Sequence, residues 1–270
     1  MKIVHHIGIN PDIDQRLTLM GLGIDIPFSK SNLTGAVAIE LEESSDEYKK
    51  IQPYLELWKV MDATATLFTE AEVRDAPFLA MRDVWANGYP MPDNNFGYMD
   101  ITYNSSDYCK ECGIGLVQKE PFRIKKEPNW GGKNMFSLNW VYDELFVKPE
   151  LYENVFKKYN IKTMPVLLYK KDTVLENVVQ LQIAESNANL ELEGNSYIEC
   201  GSCGRIRYDM VTRGFFPSFK ELFSRPSIVK TKEFFGTGKN ARKYIVISSQ
   251  ILEELNKYKI KCNFIPMNQG

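Results

Sequence analysis

Histidine is scarce in this 270-residue chain, with His5 and His6 its only two. Neighbouring positions on a strand point to opposite faces, so the pair cannot close on one metal ion, and no local nucleophile pattern accompanies it to build a triad. Surplus charge is missing too. Thirty-three Lys and Arg face 35 Asp and Glu, a formal net charge of -2, which leaves no global positive field for a polyanion and counts against nucleic acid as a partner. No apolar run approaches the roughly 18 to 20 residues that a membrane-spanning helix needs, so no membrane association is expected. The start, Met1-Lys2-Ile3-Val4-His5-His6-Ile7, has neither the apolar core nor the cleavage site of a signal peptide, and cytoplasmic placement is the expectation. Repeats, heptads and low-complexity tracts are absent as well. A composition of 44% hydrophobic and 25% charged residues is that of a folding chain, not of a disordered one.

What is present reads as an α+β protein, because strand-like and helix-like stretches do not alternate regularly enough for a doubly wound sheet. Lys2–Ile9 and Ala36–Leu41 predict strands, with Gly21, Gly23, Pro27 and Gly35 marking turns between them and no helix expected there. From Asp46 the apolar residues Tyr48, Ile51, Leu55 and Trp58 fall on one helical face, with Pro53 as a first-turn or kink residue. Thr69-Glu70-Ala71-Glu72 is a capping box, and the stretch to Ala86 has helical composition interrupted by Pro77. Pro90, Pro92, Asp93, Asn94, Asn95 and Gly97 suggest a boundary, giving an N-terminal α/β segment, 1–97, and a second domain, 98–270. Within the second, Pro149–Tyr159 and Ser249–Lys259 predict helices, and Val166–Tyr169, Val178–Ile183 and Tyr244–Ser248 predict strands.

Five cysteines are the chemistry-bearing feature. Cys109-Lys110-Glu111-Cys112-Gly113 and Cys200-Gly201-Ser202-Cys203-Gly204 each place two thiols at the spacing that converges on one tetrahedral zinc with bonds of about 2.3 Å. The trailing glycine permits a positive φ, so the chain can turn back and aim amide N–H groups at the sulfurs. Two such knuckles predict a split, zinc-ribbon-like site with one structural zinc per chain on Cys109, Cys112, Cys200 and Cys203. The 87 residues between the knuckles form a long insert, so the site acts as a clasp across it. Four thiolates leave no open position for water, which argues against hydrolytic zinc chemistry. Two other readings stay open. Cys200-Gly201-Ser202-Cys203 resembles a redox dithiol, although Gly204-Arg205 is a poor helix start. The second is a zinc-ribbon nucleic-acid binder using Lys119, Arg123, Lys125, Lys126 and Lys133 with Phe122 and Trp130 as a stacking face. Cys262 reads as a buried free thiol, and Phe234-Phe235-Gly236-Thr237-Gly238-Lys239 as a turn, because the full phosphate-loop spacing is missing.

As an ordered set, the motifs go further. Cys109–Gly113 precedes the long insert, Val179-Gln180-Leu181-Gln182-Ile183 precedes Cys200, and Cys203-Gly204-Arg205 leads into a closing region. That region carries Phe234-Phe235-Gly236, Ile245-Val246-Ile247-Ser248 and Phe264-Ile265-Pro266. Over residues 105–270 the chain resembles the bacterial double-CXXCG motif family, associated with immunity proteins of contact-dependent or polymorphic toxin systems. The resemblance implies a non-catalytic protein that binds and neutralises a cognate toxin protein, with no catalytic residues. Glu40, Glu42, Glu43, Asp46 and Glu47 are the candidate surface for a basic toxin, since complementary charge speeds encounter. The simpler reading of this cluster is a solvated helix entrance suited to the helix dipole.

Overall fold

In a computed structural model that describes residues 1–24, 37–221 and 227–268, the chain is an α+β protein. The turn residues Pro27 and Gly35, and Ala36 at the expected strand start, lie outside the described residues. Two compact units are present: Met1–Glu72 with Val211–Phe215, and Val73–Met210 with Phe216–Gly270.

The first unit is built on a three-stranded antiparallel sheet in the order Val37–Glu42, Lys2–Ile9, Met61–Leu67. Ile7, Ile9 and Ile39 point to one face and pack with Leu19, Tyr48, Ile51 and Leu55 of two helices. The helix Asp46–Trp58 is capped by Ser45, whose hydroxyl accepts the Tyr48 N–H at 3.1 Å. It carries Pro53 in its interior. The other helix, Ile13–Gly21, was not expected. Asp12 and Gln15 form a complete capping box at its start, but its apolar pattern is inverted. Ile13, Leu17 and Met20, one stripe at i, i+4 and i+7, are 75%, 61% and 55% exposed, while Arg16 and Leu19 are buried. A pattern reading that assigns apolar residues to the core cannot place such a helix. Val211–Phe215 joins this unit through Arg213, which pairs with Glu43, and through the Gly214 N–H, which donates to Thr66 Oγ1 at 2.8 Å.

After Thr69, helix extends only over Glu70–Asp75, which spans the division between the units, and the chain then becomes the strand Phe78–Arg82 of the second unit. This corrects the helical reading to Ala86. Phe78-Leu79-Ala80-Met81 is a continuous apolar run because it lies inside a four-stranded sheet, between Ile245–Ser248 and Asn263–Pro266, with Ile228–Lys230 outermost. Strands buried on both faces lose the alternation that marks them in sequence. The same pairing ties residues 78–82 to the C-terminal strands, so the division falls after Glu72 and the boundary expected at residue 97 lies inside this unit. A five-stranded mixed sheet follows the order Arg123–Ile124, Lys162–Leu168, Thr173–Gln182, Val141–Val147, Met135–Leu138. Pro149–Tyr159 is helical throughout, although it passes from an α-turn through a π-turn to a 3₁₀ turn. Leu151, Val155 and Phe156 pack with Leu79, Ile247, Ile251 and Leu255. The expected C-terminal helix is Ser249–Leu255, shorter than anticipated.

Candidate metal centre

Both cysteine pairs sit at the tips of β-hairpins in the second unit. The first tip lies between Tyr103–Asn104 and Val117–Gln118, which pair antiparallel, and the second between Tyr197–Glu199 and Ile206–Tyr208. The two tips share one hydrogen-bond plan. In the first, the Cys109 N–H donates to the Ile114 carbonyl at 2.9 Å and the Gly113 N–H to the Cys109 carbonyl at 2.8 Å. In the second, the Cys200 N–H donates to the Arg205 carbonyl at 2.9 Å and the Gly204 N–H to the Cys200 carbonyl at 2.8 Å. Each turn closes through a glycine with positive φ, +76° at Gly113 and +71° at Gly204. That is the conformation in which a Cβ is costly.

The hairpins meet sulfur to sulfur. Cys109 and Cys200 are 3.7 Å apart at Sγ, as are Cys112 and Cys203, and all four sulfurs lie within 4.8 Å of one another. A disulfide needs about 2.05 Å, so these are four separate thiols. A tetrahedral ion with metal–sulfur bonds of about 2.3 Å requires sulfur–sulfur edges of about 3.8 Å. The cage therefore has the size and the donor set to hold a metal ion. Cys112 and Cys200 are buried, Cys109 is half-buried and Cys203 is exposed, with Ile114, Phe234 and Ala241 packed around the inner side.

Electrostatics divide the ligands. The Cys109 thiol is brought down to about 6 by the backbone N–H groups of Cys112 and Glu111, which point at its sulfur. Burial pushes Cys112 up to about 12. Amide donors thus favour the anion at Cys109, whereas burial disfavours it at Cys112.

Residues other than the cysteines lock the tips together. Arg205, directly after the second knuckle, donates from Nη1 to the carbonyls of Asp107 at 2.8 Å and Ile114 at 3.1 Å, and pairs with the Asp107 carboxylate. Ser202 donates to the Glu111 carboxylate across the junction. Gly115 makes the approach possible, with φ at +110° and no room for a side chain, since a Cβ there would stand 1.9 Å from the Asp107 carbonyl oxygen. Sequence reading did not single out Gly115 or Arg205 as supports. The signals were a second glycine two residues after Gly113 and a guanidinium directly after Gly204.

The other expected residues are placed as follows. Cys200-Gly201-Ser202-Cys203 closes a hairpin and does not begin a helix, so no helix dipole acts on it as in a redox dithiol. Phe122 is fully buried and cannot stack on a base, Arg123 pairs with Asp172, and Lys133 lies over the Trp85 ring. Among the acidic residues, Glu42 pairs with Lys2 and Glu43 with Arg213, and the carboxyls of both are held below the ordinary range by hydrogen bonds from those cations. Glu40, Asp46 and Glu47 face solvent, with Asp46 and Glu47 in the first turn of their helix. His5 and His6 do point to opposite sides. His5 is 3% exposed, stacked on Tyr48 and bonded through Nδ1 to Asp62 at 2.9 Å, whereas His6 is exposed. Cys262 is partly buried, with its thiol pushed up to about 12 by burial. Among the described residues, no helix is long and apolar enough to cross a membrane, and the four-cysteine cage is the one group of metal-ligating side chains that converges. Compared with known proteins, the chain matches no family model, no curated protein and no solved structure.

Proposed function

We propose that Cys109, Cys112, Cys200 and Cys203 hold one structural zinc ion and that the chain is a non-catalytic immunity protein that neutralises a cognate toxin by stoichiometric binding. The observation that carries the metal reading is the sulfur cage itself, four thiols within 4.8 Å delivered by two hairpins from distant parts of the chain. A four-thiolate zinc has no vacant position, so its contribution is to the fold. The toxin reading rests on the ordered Cys-x-x-Cys-Gly resemblance and is supported by charge. The first unit contains seven Lys and Arg against twelve Asp and Glu, five negative charges in excess, although the whole chain carries only -2. Such a unit suits a basic partner. Glu42 and Glu43 pair with Lys2 and Arg213, and the more exposed acids offered to that encounter are Glu47, Glu40 beside His6 at 3.4 Å and Asp46 beside Lys49 at 3.5 Å. The same unit exposes Ile13, Leu17 and Met20, apolar side chains of the kind that a protein interface buries.

The reading predicts a toxin gene beside this one, and the test is co-expression of the two. Growth should be rescued and the two chains should elute together at one to one. Reversing Glu40, Asp46 and Glu47 to Lys should slow association and reduce its salt dependence. Association kinetics untouched by the triple reversal would remove this surface, and failure to rescue growth would remove the immunity reading.

A further inference from the structure

The same cage has a second chemical possibility, set by which sulfurs face each other and by what holds them once a metal has left. Two sulfur pairs face each other between the hairpins, Cys109 with Cys200 and Cys112 with Cys203, each at 3.7 Å in a cage whose four sulfurs all lie within 4.8 Å. The junction is also held without sulfur, by Arg205 on the Asp107 and Ile114 carbonyls and by Ser202 on Glu111. Loss of the metal therefore leaves the facing sulfurs as neighbours. Cys203 is exposed, and its partner Cys112 is buried beside it, an arrangement of one accessible thiol with a resolving thiol in reach.

We infer that the clasp is a modification site for hydroperoxides, which convert it from a metal-held to a disulfide-held junction through Cys112–Cys203 and Cys109–Cys200 linkages. The inference rests on the proposed zinc reading. Hydrogen peroxide, the oxidant, is attacked by the exposed Cys203 thiolate. The O–O bond breaks, hydroxide leaves and Cys203 becomes a sulfenic acid. The Cys112 thiolate then attacks the Cys203 sulfur, the S–S bond forms and a second hydroxide leaves. Two thiolates have lost two electrons and one peroxide has gained them. A second peroxide oxidises Cys109 and Cys200 in the same way, and zinc departs as the dication. Both linkages span 91 residues in sequence, so they close the same loop that the metal closed. The insert stays clasped after the metal has gone. Linkages within a knuckle, Cys109–Cys112 and Cys200–Cys203, would instead leave the insert without a covalent or metal clasp.

The experiment uses the unmodified full-length chain, so no variant needs to fold. Metal content is measured first. A chain without metal contradicts the proposed function and removes the switch along with it. The zinc-loaded chain is then titrated with hydrogen peroxide in the presence of a chromophoric chelator, and the product is digested without reduction and mapped by mass spectrometry. The expected result is one zinc released per two peroxides, a mass about 4 Da below the reduced metal-free chain, and cross-linked peptides pairing Cys109 with Cys200 and Cys112 with Cys203. Cys262 should remain a thiol, and the melting temperature should stay within a few degrees of the zinc form. A zinc-bearing chain that yields within-knuckle linkages or sulfinic acids, or that keeps its metal at millimolar peroxide, overturns the switch and leaves the zinc reading standing.

Discussion

Replacing Gly115 by Ala perturbs the clasp without touching a ligand. The added Cβ would lie 1.9 Å from the Asp107 carbonyl oxygen and 2.6 Å from its carbon, where ordinary contacts begin beyond 3 Å. The two legs of the first hairpin must part by more than 1 Å. That movement displaces the carbonyl on which Arg205 rests and the chain that leads into Cys109. A side chain at φ +110° costs about 1 to 3 kcal/mol, and forcing a group into a filled space costs a further 1 to 3 kcal/mol or so. Taking about 3 kcal/mol for the sum, zinc binding should weaken roughly 100-fold. The melting temperature should fall by about 6 to 12 °C, at the roughly 2 to 4 °C per kcal/mol expected for a unit of this size. Gly201 supplies the control, because it lies in the second knuckle without positive φ and a Cβ there meets nothing within 4 Å. Competition with a chromophoric chelator and thermal melting read both quantities. Equal zinc retention and melting in the Gly115→Ala and Gly201→Ala variants would refute the close approach of the hairpins.

Three further outcomes are expected. Cys112 is fully buried, and Cys112→Ser should abolish stoichiometric metal. The clasp's constraint on a 91-residue separation, worth about 4 to 5 kcal/mol in the chain-entropy treatment of a cross-link, would be lost with it, as urea unfolding can measure. Glu144 and Lys230 form an ion pair in which each side chain is 12% exposed. Glu144→Gln should therefore cost about 3 to 5 kcal/mol by leaving a buried ammonium unpaired, whereas replacing both by Leu should recover most of that loss. In the first unit, the Arg213 hydrogen bond holds the Glu43 carboxyl below the ordinary range. A depressed folded value means that this contribution is present above the unfolded carboxylate pKa and is lost as the pH falls through the folded one. The exchange protection factor of the Gly214 amide, whose N–H is bonded to Thr66 Oγ1, should fall over that acid range, and Glu43→Gln should remove this pH dependence of the protection factor.

Much of this architecture was legible because it is local. The strands Lys2–Ile9 and Ile245–Ser248 and the helix Asp46–Trp58 follow from alternation, β-branched runs and a capped apolar face. The ligands were legible because two Cys-x-x-Cys-Gly runs constrain both spacing and turn geometry. What escaped depends on distant partners. Phe78–Arg82 reads equally as helix or strand until Ile245–Ser248 and Asn263–Pro266 flank it. The helix Ile13–Gly21 turns its apolar stripe to solvent, so periodicity alone assigns it no place in a core, although Asp12 and Gln15 announce its start. Gly115 and Arg205 matter only because the hairpins meet tip to tip. The paired spacing anticipates that the knuckles meet across 91 residues, but not which groups brace the junction.

The central claim is the zinc clasp, and native mass spectrometry with elemental analysis of the purified full-length chain addresses it most directly. One zinc per chain, released by chelation with a fall in melting temperature, is the expected result. A chain that carries no metal as purified, takes up none when reconstituted with zinc under reducing conditions, and melts unchanged in chelator would contradict it.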